Sequence, residues 1–124
     1  MNVERIGPAL VFRAGKGEWY NQRNPGWDMG EEPDLPPAPW HIALEEAIAT
    51  HDSTALLVVI DVTEMIWLEI FDWAFLLRLH RSLAAKGRKI SVVATGRVLT
   101  AARIIKIADH FEVGSSLDDA LRSA

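Results

Sequence analysis

The sequence contains no cysteine. That excludes disulfides, a thiolate nucleophile and cysteine-ligated metal centres. No apolar run approaches the ~20 residues that a membrane-spanning helix needs. No basic-then-apolar leader stands at the N-terminus. A cytoplasmic protein without membrane insertion is therefore expected. Basic runs are also missing, and the net charge is −4. Broad binding to nucleic-acid phosphates or anionic membranes is not expected from such a chain. No glycine-rich phosphate loop follows a predicted strand, because Thr95-Gly96-Arg97 is too short for one. Ser53, Ser82, Ser91, Ser115 and Ser116 lie in no nucleophile-elbow pattern. His41 and Glu45 have a spacing that can bind a metal on one helix, but a third ligand is missing and a solvated pair is the better reading. Glu69 and Asp72 sit where a helix begins. There the positive dipole end suits a capping role better than general acid catalysis. No enzymatic activity, cofactor or metal is expected.

What is present points to an ordinary globular domain. Apolar residues make up 49% of the 124 and charged residues 24%, which suits one domain with one core. The chain is organised around Ser53 to Lys86. Ala55-Leu56-Leu57-Val58-Val59-Ile60 is short, rich in β-branched residues and ends at Asp61. That is the pattern of a strand buried on both faces of a parallel sheet. An apolar patch, Met65-Ile66-Trp67-Leu68, follows. Glu69-Ile70-Phe71-Asp72 then leads into strong helix formers that run to Lys86. Lys86-Gly87-Arg88-Lys89 is a helix stop.

Before this centre, Asn2 to Arg13 reads as one or two strands with a turn at Gly7-Pro8. Residues 14–39 form a long irregular stretch rich in glycine and proline, yet it holds Trp19, Tyr20 and Trp27. Disordered linkers are usually poor in aromatics. Those rings either pin the loop to the domain or form an aromatic ligand or partner site. Trp40 to His51 reads as an amphipathic helix with Trp40, Ala43, Leu44, Ala47 and Ile48 on one face. After the centre come a strand over Ile90–Ala94, a helix over Val98–Asp109, a short strand near His110–Gly114 and a last helix capped by Ser115 or Ser116. Strands alternating with about four helices predict an α/β domain with a mixed, mostly parallel sheet. No internal repeat is present.

On a helical wheel at 100° per residue, Ile70, Trp73, Leu76, Leu77, Leu79, Leu83 and Ala84 define the expected core face, with His80 inside it. Phe71 and Phe75 fall together on the opposite, polar face. They are read either as a contact surface or as rings covered by the Trp-rich loop or by Met65 and Trp67.

In order and spacing these pieces resemble the STAS domains, which include the anti-sigma factor antagonists of bacterial partner switches. The resemblance rests on Ile60-Asp61-Val62-Thr63, the Met65–Leu68 patch, Leu76-Leu77-Arg78-Leu79-His80-Arg81 and Lys86-Gly87. Ile90 to Ala94, the helix after it, Asp109-His110-Phe111-Glu112-Val113 and the last helix with Leu117 and Ala120 also fit. It covers Trp40 to Leu121 well and the N-terminal strands loosely. The family's Asp-Ser-Ser-Gly motif is replaced by Glu69-Ile70-Phe71-Asp72. Ile70 stands where a phosphorylated hydroxyl would be, and Thr63 is the only hydroxyl in the loop before it.

The resemblance implies a single STAS-like domain over 1–124, a sandwich of sheet and helices. It implies a non-enzymatic protein-interaction module in signalling or transcription regulation, without the usual phospho-switch. The partner implied is an anti-sigma factor or kinase-like protein, or a second copy of the chain. Its contact residues would be Glu69, Ile70, Phe71, Asp72 and Phe75. The alternative reading is a small-molecule or lipid-transport-linked STAS-like domain that binds through Trp19, Tyr20 and Trp27.

Overall fold

β-branched residues over the central apolar run make a strand, β3 (Leu57–Asp61), with four of its five residues buried. It lies in the middle of a five-stranded sheet of order β1-β2-β3-β4-β5. The other strands are β1 (Asn2–Ile6), β2 (Ala9–Arg13), β4 (Lys89–Val93) and β5 (Glu112–Gly114). β1 and β2 form an antiparallel hairpin through Gly7, whose φ of 57° suits a glycine turn. The β2–β3, β3–β4 and β4–β5 pairs are all parallel. The computed structural model describes residues 2–13, 39–51, 55–65 and 67–122. Residues 14–38, with Trp19, Tyr20 and Trp27, lie outside the described residues, as does Ile66.

Among the described residues four helices connect and flank the sheet: α1 (Pro39–Thr50), α2 (Ile70–Ala84), α3 (Gly96–Ile104) and α4 (Leu117–Arg122). A parallel sheet that grows in one direction by right-handed crossovers puts every crossover helix on the same face. The core agrees. Leu10, Phe12, Val58, Ile60, Ile90 and Val92 share one cluster with Trp40 and Leu44 of α1, Trp73, Leu76 and Leu83 of α2, and Val98 and Ala102 of α3. The opposite face carries Ala9, Val11, Leu57, Val59 and Val93, with Ala120, Leu117 and Leu121 of α4 against it. The mixed, mostly parallel α/β architecture expected from the sequence is thus present.

Two element boundaries differ from the sequence reading. The helix expected over 98–109 stops at Ile104, and a 3-10 turn follows at Ile107–Asp109. Lys106 between them adopts a left-handed φ of 60°, which ends an α-helix. The last helix begins at Leu117, with Ser116 Oγ accepting from the Asp119 N–H at 3.4 Å, a capping contact.

Candidate functional site

The site is built at the start of α2. Glu69 has an extended backbone at the N-cap, and Asp72 reaches back to it. One carboxylate oxygen of Asp72 accepts the Glu69 N–H at 2.7 Å. This contact satisfies a donor that the helix itself leaves unpaired. The capping role expected for Asp72 is therefore observed, with an addition the sequence did not suggest. Asp72 is fully buried, and its other oxygen accepts from His41 Nε2 at 2.7 Å. The same carboxylate thus holds the helix start and clamps it to α1. His41 is buried with it, so its partner is Asp72 across the seam and it does not form the solvated pair expected with Glu45.

Phe75 completes the clamp. It stacks on the His41 imidazole with centroids 4.0 Å apart and planes 8° from parallel. It also meets Trp40 edge-on at 5.6 Å. Phe75 is only 4% exposed, so it does not pair with Phe71 on an open face. Trp40 and His41 of α1 supply cover for Phe75, while the Trp-rich loop lies outside the described residues. α2 is wedged between two neighbours. Trp73, Leu76 and Leu83 face the sheet, while Asp72 and Phe75 face α1. Ile70, expected in the core, is 63% exposed at the first residue of α2.

These placements divide the five expected contact residues. Glu69 is half-buried, Ile70 and Phe71 are exposed, and Asp72 and Phe75 are interior. Trp67, just before the helix, is also exposed. The outer surface of the corner is thus Trp67, Glu69, Ile70 and Phe71, while Asp72 and Phe75 fix it from within.

The preceding loop is pinned by charge. Asp61 ends β3, and one of its oxygens accepts both the Thr63 N–H at 2.9 Å and the Thr63 hydroxyl at 2.7 Å. Its other oxygen lies 3.7 Å from Arg13 Nε, and Arg13 pairs with Glu4 at 3.0 Å. The Thr63 hydroxyl, open to solvent, therefore already donates to a carboxylate. Among the described residues no three His, Cys, Asp or Glu side chains gather as a metal site. No helix among them is long and apolar enough to cross a membrane.

The fold and corner define an α/β protein whose sheet delivers an exposed apolar helix start from the end of its central strand. No protein-family model matches the sequence, and no curated protein matches it either. Among solved structures, the NMR structure of the protein TM1081 is similar, with a TM-score of 0.67 over 97% of this chain and 84% of that one. Sequence identity is 7%, so the likeness is one of fold.

Proposed function

We propose that the chain is a non-enzymatic, STAS-like interaction module that holds a protein partner at the Trp67–Phe71 corner. The observation that carries this is the contrast within one helical turn. Ile70 and Phe71 face solvent, while Asp72 is buried and hydrogen-bonded on both oxygens. Large apolar groups on a backbone fixed in advance bind at a low ordering cost. Aromatic side chains of this kind often anchor interfaces. The shared fold with TM1081 and the order of motifs along the sequence support the STAS-like reading. With Ile70 at the motif position, the contact is constitutive and not switched by phosphate there. The partner is an anti-sigma factor or kinase-like protein, or a second copy of the chain.

The test is the double variant Ile70→Asp and Phe71→Asp, examined by light scattering and by retention of the protein partner that wild type holds. Loss of assembly or of the partner, with an unchanged circular dichroism spectrum, is expected. Wild-type behaviour in both assays would exclude the corner as the interface.

A further inference from the structure

The seam between α1 and α2 holds a second feature. A groove of about 670 Å³ opens there, bounded also by the turn into β4. Ile48, Phe75, Leu79 and Leu83 give it an apolar lining. Arg78 and Lys86 line it from exposed positions, and Arg88 from a buried one. Among the described lining residues Arg78, Lys86 and Arg88 face a single carboxylate, Glu45.

Arg88 is the unusual member. It is 7% exposed. Two things hold it there. The Arg88 N–H donates to the Leu83 carbonyl at 2.9 Å, and the Gly87 N–H donates to Ala84 at 3.0 Å, with Gly87 at φ 73°. These are the paired bonds of a Schellman helix end. The guanidinium Nε then donates to the Ala55 carbonyl at 2.8 Å. Arg88 lines the groove, yet its buried Nη2 has no hydrogen-bond partner. Arg13 and Arg122, by contrast, both meet carboxylates. A guanidinium is a lasting cation with a fork of donors shaped for carboxylate or phosphate. Burying such a group without an anion is costly.

We propose that the groove binds a small amphipathic anion, with a carboxylate or phosphate head on an apolar body. The head takes Arg88, with Arg78 and Lys86 closing over it. The body lies along Ile48, Phe75, Leu79 and Leu83. An inorganic anion uses only half of this lining, and an amphipathic cation meets repulsion.

The test titrates the full chain with octanoate, octyl phosphate, inorganic phosphate and octyltrimethylammonium. Binding is read by calorimetry and by the amide NMR signals of Ala49, Ser82 and Leu83. Octanoate or octyl phosphate should move those signals and bind at least tenfold more tightly than inorganic phosphate, and the tighter of the two names the head group. Arg88→Met should weaken that binding at least tenfold. Should this variant fail to fold, the exposed double variant Arg78→Ala and Lys86→Ala decides. It should weaken binding at least threefold at low salt with an unchanged melting temperature. Unmoved groove signals would overturn the proposal. So would equal binding of inorganic phosphate or of octyltrimethylammonium, or wild-type affinity in the folded variants.

Discussion

His41 and Asp72 lie 31 residues apart in the chain and meet in the interior at 2.7 Å. The carboxylate is the hub, because it also caps its own helix through the Glu69 N–H. Removing one member of a buried pair strands the other. Asp72→Ala leaves both His41 Nε2 and the Glu69 N–H without this acceptor and should cost about 2–4 kcal/mol of stability. Asp72→Asn keeps the shape but puts an NH₂ against either His41 or the Glu69 N–H, and should cost about 1–3 kcal/mol. Urea denaturation of the two variants measures both values. Equal stability of all three proteins would show that the pair is not structural.

Two phenylalanines one helical turn apart should respond very differently. Phe75→Ala removes a ring packed on His41 and Trp40 and should cost about 3–5 kcal/mol. Phe71→Ala removes a ring that is 39% exposed and should cost about 1 kcal/mol, well short of the Phe75 loss. Thermal and urea unfolding of the pair give the comparison.

Gly87 ends α2 at φ 73°, and a Cβ placed there would touch nothing within 4 Å. Gly87→Ala thus isolates backbone strain from steric clash, and a loss of about 1–2 kcal/mol is expected. The same variant should disturb the groove, since the turn carries Arg88. A shift of the Ser82 and Leu83 amide signals would report it.

Thr63 donates its hydroxyl to Asp61. Phosphorylation would replace that donor with a dianion beside a carboxylate. Thr63→Val should cost about 0.5–1.5 kcal/mol. Thr63→Glu should cost more, through like-charge repulsion that added salt relieves. Unfolding at low and high salt separates the two effects. Thr63 is accordingly a poor replacement for the hydroxyl absent at Ile70.

The succession of strands and helices along the chain was legible because its signals are local. The β-branched run at Val58–Ile60 and the glycine stop at Gly87 each act within a few residues. The site was only half legible. A wheel assigns one buried face to a helix, but α2 has two, one toward the sheet and one toward α1. Phe75 therefore fell on the polar side of the wheel. Asp72 was read as a cap and not as a buried partner of His41, because only the fold brings the two together. Lys106 gives no sign of its left-handed turn, since lysine has no preference for that conformation. One signal was available: His41 lies beside the apolar stripe of α1, next to Trp40, on the flank that meets α2.

The described helices reach the two faces of the sheet at different times. α1, α2 and α3 each arrive between successive strands and can settle on one face as the sheet grows. The other face carries Ala9, Val11, Leu57, Val59 and Val93, and α4 packs there through Leu117, Ala120 and Leu121. α4 is synthesised after every strand. During translation α4 can take its place there only after the ribosome has released Leu121. A chain stalled before Leu117 would lack the packing that α4 brings to β4 and β5, so this end of the sheet would be the last to settle.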